Sequence, residues 1–201
     1  MKILILGASG RIGKELLSQG LERGHIVTAL VRAPEKIRAQ SGSLRVMKGD
    51  PLNAEDLSSA LKDQDAVITT LGHNDRKPST LLTESMKNLC SAMNKTGTKR
   101  VLAVSSALLF PGGLGTHFFR FIFQNAVADS EQMEPILKTS ELDWTIARPP
   151  RLTNQKKSDY KLKVEALPPR AFSISRQAVA RFLLDALESR SHIHEIVGLK
   201  G

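Results

Sequence analysis

Three glycines near the start of the chain, Gly7, Gly10 and Gly13, stand between an apolar run and a helical pattern in the segment KILILGASGRIGKELL. One glycine can turn the chain tightly where a strand ends, another lets a pyrophosphate approach the backbone, and a third lets a helix pack closely on a sheet. The helix that follows directs free N–H groups at the anion. The segment therefore predicts a dinucleotide phosphate site. The other predicted contacts in this loop are Ser9, Arg11 and Ile12.

The spacing of these glycines is GxxGxxG, whereas ordinary dinucleotide-dependent dehydrogenases carry GxGxxG. This spacing points to a reductase of the short-chain or extended type. The alternative is that the glycines form only a strand-to-helix turn. The complete order of strand, glycines and helix favours the phosphate site.

The residue after the second predicted strand, Arg32, bears on the choice of nicotinamide cofactor. An acidic side chain here would bind the adenosine ribose hydroxyls, whereas an arginine can bind a 2′-phosphate through its planar fork. Arg32 therefore favours NADP(H). Lys36 and Arg11 either add charge to the same phosphate or lie exposed.

Two further strand ends carry candidate cofactor contacts. Asp50 could accept a hydrogen bond from the adenine amino group while Pro51 covers the ring, or Asp50 could simply cap a helix. After the next strand come Leu71 and Gly72, where a glycine lets the backbone pass beside the ribose and phosphates. His73 follows, and a histidine in such a loop is less often an acid or base than an ordinary loop residue.

Composition limits the class of protein. The 201 residues are 41% hydrophobic, which suits a single domain, and no apolar run approaches the ~20 residues of a membrane span. We expect a cytoplasmic protein, a monomer or small homo-oligomer, with no membrane partner. The net charge of +9 is scattered and lacks interleaved aromatic residues, so nucleic acid is not an expected partner either. The single cysteine, Cys90, excludes an internal disulfide, and no metal site is predicted.

Strand-like and helix-like segments alternate along the chain, as in an α/β fold with a parallel sheet. We predict a Rossmann-like, doubly wound sheet with helices on both faces, forming one domain over residues 1–201. The predicted strands are 2–6, 26–31, 44–48, 66–69, 100–104, 144–147 and 195–197. The predicted helices are 11–23, 54–61, 80–95, 129–139 and 175–188. Irregular loops at 110–117 and 148–170 follow strands, at the edge where such sheets bind ligands.

Several motifs in this order resemble one family. They are GASGRIG, the dipeptide Val31-Arg32, GDPLN, DAVITTLG, VSSALLF and LDWTIARPPRLTN. Together they resemble the atypical short-chain dehydrogenase/reductase group. Within it, the chain is most similar to the flavin reductase-like NAD(P)-binding proteins that include biliverdin reductase B, with NmrA-like proteins as more distant relatives.

This resemblance implies hydride transfer from NADPH to a conjugated, planar acceptor such as FMN. It matches Ser106 to the active-site serine, with Ser105 as the neighbouring alternative; the other reading is a hydroxyl that caps the backbone. It matches Pro149 and Pro150 to the segment that closes over the nicotinamide, where proline carbonyls are free to accept. On the substrate side, Phe110 would supply an apolar wall. Arg151 stands where these reductases can carry a histidine, and would bind a carboxylate or phosphate rather than donate a proton.

The usual catalytic pair of the wider superfamily is a tyrosine with a lysine four residues later. This chain has one tyrosine, Tyr160, and Val164 stands four residues after it. Ordinary alcohol-to-ketone chemistry is therefore disfavoured. The missing pair motivates one alternative to a reductase, a redox sensor that binds NADP(H) without turnover. A sugar-nucleotide epimerase-like enzyme is a further alternative with less support, because such enzymes usually retain the pair and a larger substrate domain.

Overall fold

An eight-stranded sheet forms the centre of the molecule. The computed structural model describes residues 1–73, 77–112 and 114–201. The strands are β1 (Lys2–Leu6), β2 (Ile26–Val31), β3 (Leu44–Lys48), β4 (Ala66–Thr69), β5 (Arg100–Val104), β6 (Asp143–Arg148), β7 (Arg151–Thr153), β8 (Lys161–Val164), β9 (Ser173–Ser175) and β10 (Glu195–Lys200). The sheet order is β3-β2-β1-β4-β5-β6-β10-β8, parallel except for β8, while β7 and β9 form a small parallel pair.

Helices cover both faces of this sheet. They are α1 (Arg11–Glu22), α2 (Ala54–Ala60), α3 (Leu81–Thr96), α4 (Leu114–Ile122), α5 (Gln124–Lys138) and α6 (Arg176–Glu188). Alternate residues of β1 show the two layers, since Ile3 packs with α1 and α6 whereas Leu4 packs with α2, α3 and α5. Both faces of the strands are buried, which explains their almost continuously apolar sequences. The expectation of a doubly wound parallel sheet is confirmed.

The starts of helices α4 and α5 differ from the sequence expectation. Part of the predicted loop at 110–117 is helical, because α4 begins at Leu114, although Gly113 lies outside the described residues. The predicted helix at 129–139 begins earlier, at Gln124. Asp129 resembles a helix cap in sequence, but it lies inside α5, and its carboxylate caps a different helix.

The second loop, at 148–170, contains strands that the sequence analysis missed. Strand β7 has only three residues, too few to show an alternating pattern. Strand β8, with sequence KLKV, does alternate, but all four residues are exposed at the edge of the sheet. The repeated lysines suit an edge that must not pair with other chains. Within the described ranges, no helix is both long enough and apolar enough to cross a membrane.

Candidate functional site

The glycine loop joins β1 to α1 at the carboxyl edge of the sheet. Gly7 has φ +83°, which side chains rarely adopt, and a Cβ there would lie 2.9 Å from the backbone carbon of Thr70. A Cβ on Gly13 would lie 2.1 Å from the carbonyl oxygen of Gly7. Gly7 and Gly13 are therefore required by the turn and by the close approach of α1 to it, as predicted.

Gly10 has a different role. Its backbone is extended, with φ −72° and ψ 172°, and the nearest atom to a Cβ would be the Gly7 oxygen at 3.0 Å. Gly10 is exposed and is the N-cap of α1, but it offers no capping side chain. Among the described residues, none accepts from the N–H groups of Arg11 and Ile12. Exposed glycine and unpaired amides fit a pyrophosphate that approaches the backbone closely.

Two exposed cations follow β2, the strand beside the one that leads into this loop. Arg32 is exposed just beyond β2, the strand that pairs with β1, and makes no hydrogen bond or ion pair within the described part of the chain. Its fork is therefore available for a 2′-phosphate. Lys36 is exposed and lines a surface groove of about 520 Å³ beside α1.

Arg11 is exposed, and its charge reaches Arg176 at the start of α6. Burial, followed by the positive charge of Arg11, lowers the pKa of Arg176 below its ordinary value. Arg176 also donates a hydrogen bond of 2.6 Å to Oδ1 of Asn154. The glycine loop is thus flanked by two arginines, and the second was missed because nothing near it in sequence marks it.

The turn after β3 places Asp50 at the same edge. Oδ1 of Asp50 accepts from the N–H of Leu52 at 2.9 Å, and no described residue donates to Oδ2. The alternative of a helix cap is wrong, because Asn53 caps α2 by accepting from the N–H groups of Glu55 and Asp56. Pro51 is buried in this turn, so we expect it to support the position of Asp50 more than to cover an adenine ring.

The end of β4 passes close to the glycine loop. The Thr70 hydroxyl donates to the carbonyl oxygens of Leu6 and Gly7 at 3.2 and 3.3 Å. Leu71 packs against the core, whereas Gly72 is exposed and a Cβ there would meet no atom within 4 Å. Gly72 therefore leaves open space beside the loop, as a ribose would need.

His73 contacts a buried carboxylate. Its side chain is 9% exposed, and Nε2 lies 3.2 Å from Oδ2 of Asp129 but is not aligned for a hydrogen bond. Asp129 also accepts from the N–H groups of Leu82 at 2.8 Å and Thr83 at 3.0 Å. This carboxylate of α5 therefore caps α3, and His73 is held against it at the edge of the cleft.

Two serines follow β5, and their hydroxyls have different partners. The Ser105 hydroxyl donates to Oε1 of Glu134 at 2.6 Å. It therefore supports the fold, whereas the sequence predicts that it contacts the cofactor. Ser106 starts a 3₁₀ turn, where its oxygen accepts from the N–H of Leu108 at 3.2 Å. No described residue accepts the Ser106 hydroxyl proton. The capping interpretation and the active-site interpretation are therefore compatible, because the cap leaves that proton free for a ligand.

A buried ion pair holds the ends of β5 and β6 together. Glu134 accepts from Nε of Arg148 at 2.9 Å and from its Nη2 at 2.5 Å, in addition to the Ser105 hydroxyl. The guanidinium also lies over the Phe110 ring, 4.6 Å from its centre. Phe110 is only 6% exposed, so the prediction of an open apolar wall is wrong. The ring supports Arg148 instead.

The proline segment follows β6 directly. The carbonyl oxygen of Pro149 accepts from the N–H of Ala107 at 3.1 Å. The sequence predicts that this carbonyl is free, and the structure shows that it already has a donor. This bond joins the segment to the turn that Ser106 begins. Pro150 is half-buried, and Arg151 is exposed on β7 without a described ion-pair partner. Arg151 is therefore available to bind an anionic acceptor.

The single tyrosine is tied to α6, away from these strand ends. The Tyr160 hydroxyl donates to Oδ2 of Asp185 at 2.8 Å, and its ring packs edge-on against Phe182. Burial, followed by the hydrogen bond to Asp185, raises the pKa of Tyr160 to about 12. Its contacts are those of a structural residue.

Comparisons with known proteins identify the family and agree with the fold. A family model described as NAD(P)H-binding matches residues 7–190. The uncharacterized protein YwnB of Bacillus subtilis is 29% identical over 97% of this chain and 96% of its own length. The 3-beta-hydroxysteroid dehydrogenase of Mycolicibacterium neoaurum is 31% identical over 50% of this chain and 27% of its own length. A short-chain dehydrogenase/reductase from Veillonella parvula, solved in complex with NADP, superposes with a TM-score of 0.86 at 24% identity, covering 100% of this chain and 94% of that one.

Proposed function

Because the chain belongs to the NAD(P)H-binding family that its sequence matches over residues 7–190, we propose that it is an NADPH-dependent oxidoreductase that reduces a conjugated, planar acceptor. A flavin such as FMN is the proposed type of acceptor. The observation that carries the cofactor part is the exposed Gly10 at the start of α1, where the N–H groups of Arg11 and Ile12 have no acceptor among the described residues. Arg32, exposed at the end of the neighbouring strand β2 and without an ion pair in the described ranges, supports NADPH over NADH. The Veillonella protein, which binds NADP, provides a precedent for this cofactor on the same fold.

Different residues at the carboxyl edge would bind different parts of the cofactor. The amides of α1 and the backbone at Gly10 bind the pyrophosphate, and Arg32 binds the 2′-phosphate. Oδ2 of Asp50 accepts from the adenine amino group. When bound, the nicotinamide supplies a hydride. These contacts act by proximity and orientation, which are the main requirements of hydride transfer.

Ser106 and Arg151 would position the reacting groups. The Ser106 oxygen is held by the N–H of Leu108, so its proton can be donated to the nicotinamide carboxamide or to a polar atom of the acceptor. Arg151, exposed and without a described ion pair, would bind a phosphate or carboxylate on the acceptor. It stays protonated at neutral pH, so solvent must supply any proton that the reduced acceptor takes up.

The test is anaerobic NADPH oxidation with purified protein, followed by absorbance, with FMN and then a series of quinones as acceptors. We expect turnover above the rate without protein, and a clear loss in Ser106→Ala. Ser59→Ala is the matched control, because Ser59 is an exposed serine on α2. Failure of FMN and of every quinone tested would refute the reductase proposal. Equal activity of Ser106→Ala and Ser59→Ala would refute the role of Ser106.

A second function is favoured by one observation, the engagement of Tyr160 with Asp185 in a chain that lacks the usual tyrosine and lysine pair. We propose as the alternative a redox sensor that binds NADP(H) without turnover. Tight NADPH binding with no turnover, together with a partner that binds only one redox form, would support it. Identical interactions of the NADP⁺-bound and NADPH-bound forms would exclude it.

A further inference from the structure

The outward surface of α4 is aromatic. Phe118, Phe119 and Phe121 are 61%, 51% and 73% exposed, and we call these three side chains the aromatic face. Phe118 and Phe121 are three residues apart and so lie on one side of the helix, with Phe119 next to them. The rings of Phe118 and Phe119 pack edge-on against each other, with 5.7 Å between their centres. Such a concentration of exposed aromatic rings on one short helix marks an interaction surface.

The opposite side of α4 anchors the helix to the protein. Arg120 donates to the carbonyl oxygen of Leu108 at 2.8 Å and forms an ion pair with Glu131 of α5. The polar side chain therefore points inward to the body of the protein while the aromatic face points away from it. This is the reverse of a helix that buries its apolar side in its own core.

Charge indicates the kind of partner. Helix α4 contains no acidic residue, and the charge of its Arg120 is paired with Glu131, so the positive charge that bears on a partner is the net +9 of the whole chain. A second copy of this chain would bring the same positive charge to the contact. The aromatic face also exposes only roughly 350 Å², taking ~200 Å² for each ring, against about 800 Å² per partner in a standard interface. An anionic partner fits better.

We propose that the aromatic face inserts into the headgroup region of an anionic lipid bilayer. A helix of nine residues is too short to cross a membrane, but it can lie in the interface plane with its rings buried at the acyl boundary. The rings protrude from a convex helix and need no matching groove, which suits a deformable lipid surface. The positive charge of the chain supplies the long-range attraction to anionic headgroups.

This proposal revises the expectation of no membrane partner. That expectation rested on the absence of a spanning segment, whereas an interfacial helix needs only one apolar side. It is also independent of the reductase proposal, because it concerns a surface and not the chemistry of the cleft.

The experiment is co-sedimentation of the full chain with vesicles of phosphatidylcholine alone and of phosphatidylcholine mixed with phosphatidylglycerol. The double variant Phe118→Ser/Phe121→Ser removes two rings of the aromatic face. The matched control is Phe172→Ser, since Phe172 is 79% exposed but lies outside α4. Thermal unfolding and NADPH binding show whether each variant remains folded.

We expect the wild type and Phe172→Ser to bind the anionic vesicles, with weaker binding to phosphatidylcholine alone and at high salt. The double variant should partition at least about tenfold more weakly, because each inserted ring contributes apolar burial. Absence of wild-type binding, or equal binding by the double variant, would overturn the proposal. So would a concentration-dependent dimer in light scattering that the double variant abolishes, because a second copy would then cover the aromatic face.

Discussion

Replacing Gly13 and Gly10 of the same loop by alanine should affect different properties, stability at Gly13 and cofactor binding at Gly10. At Gly13 a Cβ would lie 2.1 Å from the Gly7 oxygen and 2.7 Å from Cα of Ala8, both backbone atoms that cannot rotate away. At Gly10 the nearest atom is the Gly7 oxygen at 3.0 Å, and the backbone angles suit any residue. The first change therefore perturbs the fold, and the second perturbs only the surface that a pyrophosphate would approach.

The expected magnitudes follow from these distances. Alanine at Gly13 should gain up to ~1 kcal/mol in helix propensity, but the loop must move by about 1 Å, and overpacking of this kind costs ~1–3 kcal/mol or more. We therefore expect a net loss of about 1–2 kcal/mol in the free energy of unfolding. Alanine at Gly10 should change stability by less than about 0.5 kcal/mol, as is usual at exposed positions. A larger side chain, as in Gly10→Val, should abolish binding of NADPH and NADH alike.

The two variants are compared by urea denaturation and by titration with NADPH, followed by cofactor fluorescence. Gly10→Ala should keep the wild-type midpoint and bind NADPH at least about tenfold more weakly, a loss of ~1.4 kcal/mol. Gly13→Ala should show the lower midpoint. The reasoning is refuted if Gly13→Ala is as stable as the wild type, and the phosphate site is misplaced if Gly10→Val still binds NADPH.

Three further results are expected. Arg32→Ala should weaken NADPH binding by ~1–3 kcal/mol and leave NADH binding nearly unchanged; equal losses for the two cofactors in parallel titrations would contradict a 2′-phosphate contact. Glu134→Gln should lower the free energy of unfolding by about 3 kcal/mol in urea, because Arg148, whose side chain is only 11% exposed, loses its counter-charge. The change Glu131→Gln, at an exposed position of the same helix, should cost less than ~1 kcal/mol. Burial raises the pKa of the Cys90 thiol from 9.0 to about 11. The unfolded chain therefore loses this proton at a lower pH than the folded protein, and the free energy of unfolding should fall as pH rises through that window. Cys90→Ala, compared with the wild type by urea denaturation across the same pH range, should lack that part of the decline.

The glycine loop and most of the sheet could be predicted because their signals are local. Strand β1 ends at Leu6, just before Gly7, and helix α1 begins at Arg11, four residues after that glycine. Neighbouring residues indicate both boundaries. Strand β1 is apolar at successive positions because both of its faces are buried, and its own sequence is therefore enough to mark it as a central strand. The position of Arg32 after β2 follows from the same order of elements.

The exposed and edge elements were harder to predict. Helix α4 has the apolar periodicity of a helix, but it begins within PGGLG, whose proline and glycines indicated a loop, and its apolar side lies outward. Strand β8 alternates, but it lies in a segment whose prolines indicated a loop. In both cases the expected relation between apolar residues and the core does not hold.

The supports of the site were decided by tertiary structure alone. The carboxylate of Asp129 caps a helix whose first residues precede it by 47 positions in sequence, and it also contacts His73. Glu134 joins the ends of two strands that are adjacent only in the folded sheet. Sequence by itself determined where the chain turns, which residues enter the core and which loop can bind a phosphate, because those depend on short-range backbone geometry and burial. The pairing of buried charges depends on which distant residues the fold brings within hydrogen-bonding distance, and only the tertiary structure specifies that.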